Sequence, residues 1–137
     1  MLELNQLSSI GFGSYRVSIK SKSHYTALKL ALEEGCNLID TSTNYTDGDS
    51  ERLIGQVLSE NESLKAFIIS KVGYIQGENL NTIAELNKEG KATQDLVVIE
   101  PELKHSIHPE FIQHQLEHSL KRLGREQVDA YLLHNPE

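Results

Sequence analysis

Hydrophobic positions gather in four short runs rich in Ile, Leu and Val: Ser9–Gly13, Asn37–Asp40, Ala66–Lys71 and Val128–His134. Glycine or polar residues bound each run. None alternates strictly in and out, so each is predicted to be a strand covered on both faces. Between the runs the spacing turns helical. Ser23 is placed to cap a helix whose Leu28, Ala31 and Leu32 share one face, with Gly35 as its stop. Asp49 or Ser50 opens a second, which turns Leu53, Ile54, Val57 and Leu58 inward. A third starts at Pro109, buries Ile112, Leu116, Leu120 and Leu123, and stops at Gly124. This alternation predicts βαβ units and a parallel sheet.

Taking Ile10, Ile39, Ile69 and Leu132 as strand centres, the gaps are 29, 30 and 63 residues. The last is twice too long. Either Leu96–Ile99 is a further strand of the sheet, or the segment between Val72 and Ile107 is an excursion from it. Gly90-Lys-Ala-Thr93 is the most flexible turn of that segment on composition. No internal repeat, low-complexity tract or linker divides the chain.

Composition narrows the class. With 137 residues there is room for one domain with a modest core. The chain is 38% apolar and 24% charged, which fits neither a disordered chain nor a membrane protein. Its longest stretch without a charged residue, Leu4–Tyr15, is 12 residues, against the ~20 of a spanning helix. Met1–Ile10 has neither the basic start nor the apolar run of a signal peptide. Thirteen Lys and Arg against 20 Asp and Glu give a charge of −7, which argues against nucleic acid or an anionic membrane as partner. The single Cys36 allows no internal disulfide and predicts a reducing, cytoplasmic setting.

In parallel α/β folds functional side chains gather where strands end. Asp40 ends the second run, Lys71 the third and His134 the fourth, and Tyr45 follows Asp40 in a loop. An acid, a base, an imidazole and a phenol thus converge on one rim. A tyrosine, with an ordinary pKa near ~10, is a poor proton donor unless a nearby cation stabilises its phenolate. Lys71 supplies that cation, Asp40 holds the lysine, and His134 orients an incoming oxygen. The set suits proton donation to a carbonyl oxygen as hydride reaches the carbon.

These residues carry a resemblance. Asn37-Leu-Ile-Asp-Thr-Ser-Thr-Asn-Tyr45, running on to Ser50-Glu-Arg-Leu-Ile-Gly55, resembles the main signature of the aldo-keto reductases. Ile69-Ser-Lys71 is similar to the family's lysine strand, Asp129-Ala-Tyr-Leu-Leu-His134 to its histidine strand, and Gly11-Phe-Gly-Ser-Tyr15 to its first-strand turn. The match runs from about Ile10 to Pro136.

The resemblance implies an α/β fold of (β/α)8 TIM-barrel type, of which about the first four βα units are present. It implies NADP(H) or NAD(H) as cofactor, no metal, and a small carbonyl substrate. Tyr45 becomes the general acid, Lys71 its partner, Asp40 the counter-ion and a neighbour of the nicotinamide ribose, and His134 the group that orients the carbonyl. Ser14 falls where the family approaches the cofactor. The resemblance also turns about residues 72–107 into a long loop over the barrel mouth, with Tyr74 and Ile75 nearest the site and Tyr15 beside the substrate.

A barrel of this type needs about 250 residues, whereas this chain stops after the fourth strand. The expectation is therefore the N-terminal half of a barrel, residues 1–137. Its open sheet edges call for the missing C-terminal half or for self-association. The competing class is a non-catalytic binding or regulatory protein on a truncated scaffold.

Other motifs read as structural. His114-Gln-Leu-Glu-His118 fits a zinc pattern on a helix, but the predicted face turns both histidines to solvent and no third ligand is evident. His105 and His108 at a helix start, and His24, read as solvated. Asp47–Glu51 and Glu33-Glu34 read as solvated helix ends. Gly11-Phe-Gly13 lacks the third glycine of a dinucleotide fingerprint, and Cys36 reads as packing.

Overall fold

The computed structural model describes residues 2–89 and 96–136. The turn predicted at Gly90–Thr93 lies outside the described residues. In chain order the elements are β1 (Phe12–Gly13), α1 (Lys22–Glu33), β2 (Leu38–Asp40), α2 (Asp49–Glu60), β3 (Phe67–Val72), β4 (Tyr74–Ile75), α3 (Asn79–Lys88), β5 (Val97–Glu100), β6 (Leu103–His105), α4 (Pro109–Leu123) and β7 (Ala130–Leu133). Strands β1, β2, β3 and β7 pair in that order as one parallel sheet. Register sets Gly13 beside Asp40, and Lys71 beside Leu132, so the strand ends share one rim. Ile10 is not a strand centre. It is 77% exposed, and pairing starts two residues later.

Apolar side chains of α1, α2 and α4 bury against the sheet. Leu28, Ile39, Leu53, Ile54, Val57 and Ile68 are fully enclosed, each contributing roughly 1.5–3 kcal/mol of transfer free energy. The α1 cap is Ser21, two residues before the predicted Ser23, and its hydroxyl accepts from the His24 amide. The α2 cap is Gly48 rather than the predicted Asp49 or Ser50, and no side chain caps that helix. At α4 the signals act as read: Pro109 opens it, and Gly124 closes it with a left-handed φ of 62°.

The buried face of α4 is rotated by about one residue from the apolar stripe. Phe111, Gln115, Ser119 and Leu123 are buried, while Ile112, Leu116 and Leu120 are half-buried. The helix packs on α2 and on α3 at once, and polar pairing rather than apolarity seats Gln115, whose amide donates to Thr82 of α3 at 3.1 Å.

Segment 72–107 departs most from expectation. Its described residues build strands and a helix rather than a loop. β4 and β5 flank β6 in a second, antiparallel sheet, and α3 packs on α4 over a second core of Val72, Ile75, Ile83, Leu86 and Phe111. Val97–Glu100 is thus a strand, but outside the parallel sheet. Among the described residues no helix is long and apolar enough to cross a membrane.

Of the acidic residues from Asp47 to Glu51, Asp47 is exposed as expected, but Asp49 and Glu51, in the first turn of α2, are not solvated. Glu51 is fully buried; it accepts from Ser70 Oγ at 2.7 Å and from Arg122 Nε at 2.8 Å. Asp49 is 8% exposed. Burial alone would raise its pKa, but hydrogen bonds from Lys20 and Ser18, with the charges of Lys20 and Arg52, hold it below the ordinary carboxylate value.

Candidate active site

Asp40, Tyr45, Lys71 and His134 meet at the rim of the parallel sheet. Lys71, near the end of β3, is the centre of the group. Its ammonium donates to Asp40 Oδ1 at 2.6 Å, to the Thr41 carbonyl at 2.8 Å and to the Tyr45 hydroxyl oxygen at 3.2 Å. An ammonium has three donors, so all three are committed and Lys71 cannot swing away without leaving one unmade. Because the Tyr45 oxygen accepts from Lys71, its own proton is left to donate elsewhere.

The loop that presents Tyr45 is strained. Thr46 and Asp47 both take left-handed backbone angles, φ 46° and 58°, and Gly48 follows at 81°. Each such non-glycine residue costs on the order of 1–3 kcal/mol, so side-chain bonds must hold them. Thr46 Oγ1 donates to the Val17 carbonyl at 2.6 Å, and Asp47 Oδ1 accepts from the Glu78 amide at 2.7 Å. Arg52 adds a two-pronged bond to Glu78, at 2.7 and 3.0 Å. The excursion after β3 thereby braces the tyrosine loop.

His134 stands one residue past β7. Its Nδ1 lies 3.1 Å from Ser42 Oγ, and its carbonyl accepts from His105 Nε2 at 2.6 Å. Contrary to the sequence reading, His105 is buried, because β6 carries it under the rim. Gly73 makes room there: a Cβ at that position would run into the His105 ring. Burial lowers the His134 pKa and the Lys71 charge lowers it further, with His105 adding to this; together they outweigh Asp40. The imidazole is therefore neutral at pH 7.

Aromatic rings wall a cleft of about 530 Å³ lined by Tyr15, Tyr45, Tyr74 and His134, with Arg16, Asn44 and Asn135 at its border. Tyr15 meets Tyr45 edge-on at 5.1 Å, and Tyr74 meets His134 at 4.9 Å. Ile75, expected nearest the site with Tyr74, instead points into the second core and is fully buried. Ser14 is also fully buried; its amide and hydroxyl both bond the Asp40 carbonyl, at 3.0 and 2.8 Å, and its oxygen accepts from Ser50 at 2.7 Å. Its side chain acts beneath Asp40 rather than on the cleft surface.

Sequence reading passed over Ser42 and set Asp47 and His105 aside as solvated. The first two lie inside the Asn37–Gly55 motif, and His105 had only an unremarkable position before a helix.

The family model of the aldo/keto reductases matches residues 9–137. The chain belongs to the aldo/keto reductase family. It is 31% identical over 100 residues to the NADH-specific methylglyoxal reductase of Escherichia coli, covering 73% of this chain and 27% of that protein. The glycerol dehydrogenase of Gluconobacter oxydans superposes with a TM-score of 0.70 at 25% identity, over 96% of this chain and 36% of that one. An aldo/keto reductase of Klebsiella pneumoniae solved with NADP and acetate superposes at 0.59 with 21% identity, over 93% and 35%. The four parallel strands are thus part of a (β/α)8 barrel, and this aldo/keto reductase chain spans about a third of the length of the relatives it matches.

The described residues fit one end of a nicotinamide cofactor. Asp40 commits Oδ1 to Lys71 and remains 44% exposed, so Oδ2 is available to a sugar hydroxyl at the rim. The buried Ser14 braces it from below.

Proposed function

We propose that the protein carrying these residues reduces a small aldehyde or ketone with NADPH or NADH, or runs the reverse alcohol oxidation, in the cytoplasm. The observation that carries the reading is the threefold anchoring of Lys71 between Asp40 and Tyr45 at the edge of an aromatic cleft. Such a device is unnecessary for a binding surface but suits a proton donor.

When bound, the cofactor supplies the hydride. This chain's residues do the rest. Tyr45 donates its proton to the carbonyl oxygen, and the Lys71 ammonium stabilises the phenolate left behind. Asp40 holds Lys71 in register and accepts from the nicotinamide ribose. Neutral His134 orients the substrate oxygen through Nε2. The single Ser42 hydroxyl proton has three acceptors in reach, Asn44 Oδ1 at 2.7 Å, His134 Nδ1 at 3.1 Å and the Lys71 carbonyl at 3.2 Å. When it goes to Nδ1, the ring proton sits on Nε2, where it can donate. Tyr15 and Tyr74 flank the substrate.

Strand β7 ends the parallel sheet among the described residues, and its Leu132 and Leu133 are 46% and 45% exposed. An apolar edge of this kind suits continuation into further barrel strands, which would hold the rest of the dinucleotide. The relatives' names favour a small dicarbonyl such as methylglyoxal as first substrate to try. The test is oxidation of NADPH or NADH by the protein at its natural length with a panel of small aldehydes and ketones. Turnover with one or more of them is expected; no turnover with any, from folded protein that binds the cofactor, overturns the reading.

A further inference from the structure

Helix α4 carries His114 and His118 one turn apart, and the structure brings a third group to them. Glu85 of α3 sets a carboxylate oxygen 3.6 Å from His114 Nε2. One ligand atom from each of Glu85, His114 and His118 lies within 4.8 Å of the others. The two imidazoles stand 4.3 Å apart, tilted by 38°. Neither ring is turned out to solvent as the apolar pattern of α4 suggested, because rotation of that helix brings both toward α3.

We propose that Glu85, His114 and His118 bind a divalent transition-metal ion of the zinc type, clamping α3 to α4. Two ligands each about 2.1 Å from a tetrahedral zinc stand about 3.4 Å apart, so the Glu85–His114 separation needs almost no change. Two imidazole nitrogens and one carboxylate select zinc, cobalt or nickel over magnesium and calcium, which want oxygen throughout.

The ligands also stand on firm supports. Gln115, next to His114, bonds Thr82 across the buried helix interface, and Thr82 and Leu86, which bracket Glu85, are 2% exposed. Nδ1 of His114 is buried and has no hydrogen-bond partner among the described residues. A plain ion pair uses only Glu85 and His114 and leaves the approach of His118 unexplained. The nearby cation Arg122 is tied to Glu51. The fourth coordination position is left to water.

This site stands on the α3–α4 geometry alone and is independent of the reductase reading. Its consequence is mechanical: α3 belongs to the excursion that brings Tyr74 to the cleft, and a metal would fix that excursion to α4.

The experiment titrates zinc into metal-free protein of natural length against a chromophoric chelator, with thermal melting in parallel and magnesium as control. One saturable zinc per chain is expected, with a melting temperature raised by several degrees at saturation. Magnesium should do neither. Glu85→Gln and His118→Gln should each weaken zinc binding about tenfold or more, while His24→Gln should leave it unchanged. Glu85 is exposed, so its variant keeps the fold even if the His118 variant does not. No saturable zinc binding, or equal affinity in wild type and the Glu85→Gln protein, overturns the proposal.

Discussion

The Nε of Arg122, in the last turn of α4, donates at 2.8 Å to the carboxylate of Glu51, which no solvent reaches at the start of α2. This bond ties two helices beneath the sheet, and Ser70 of β3 completes the carboxylate's shell. Removing one partner of a buried pair strands the other charge, at about 3–5 kcal/mol. Arg122→Leu should lower stability by that amount in urea unfolding. A loss below about 1 kcal/mol would mean that the charge is solvated.

Gly55 permits the approach on which that bond depends. A Cβ there would stand 2.7 Å from the Arg122 carbonyl oxygen. Gly55→Ala should therefore destabilise by about 1–3 kcal/mol, against the small gain alanine brings to an open helix position. Denaturant midpoints of the two proteins check it.

Legibility varied with how local the cause was. The ends of α4 were readable because Pro109 and Gly124 act through their own backbone angles. Strands β2 and β3 were readable because burial on both faces leaves unbroken apolar runs; β7 carries such a run too, although the expected cover is missing from its half-exposed Leu132 and Leu133. Asp40, Tyr45, Lys71 and His134 fall at strand ends or in the adjoining loop, so three runs and a loop sufficed to bring them together. The excursion was not readable: β4 has two residues and β6 three, too short for any periodicity, and their pairing is non-local. Nor was the burial of Glu51, Gln115 and His105, polar residues whose partners lie 71, 33 and 29 positions away.

The depressed pKa of His134 fixes a sign for stability against pH. Above about 6.5 the ring is neutral folded and unfolded, and contributes no slope. Below it the unfolded chain takes the proton first, so stability falls as pH drops toward the folded-state value. Urea midpoints between pH 7 and 5 should decline, and His134→Asn should make that decline shallower. An equally steep decline in the variant would place the titration elsewhere.

Ser42 is expected to act through His134. Ser42→Ala removes a hydrogen bond worth about 1 kcal/mol, enough for roughly five- to tenfold in rate. The expectation is a drop in kcat with carbonyl substrate, a melting temperature lowered by only a few degrees, and partial rescue by Ser42→Thr. Steady-state kinetics beside thermal melting separates this from a loss of fold.

Lys71→Met should cost more, since it removes the charge facing the Tyr45 oxygen and leaves Asp40 without its counter-ion. Loss of about 100-fold or more in kcat is expected, with cofactor binding retained in fluorescence titration.

The most direct test of the account is the Tyr45→Phe protein at natural length, assayed for NAD(P)H-dependent carbonyl reduction beside wild type. The change removes one oxygen from a ring that stays packed against Tyr15. Binding of cofactor should persist while kcat falls by at least about 100-fold. Turnover within a fewfold of wild type would contradict the account, because the proton would then come from another group.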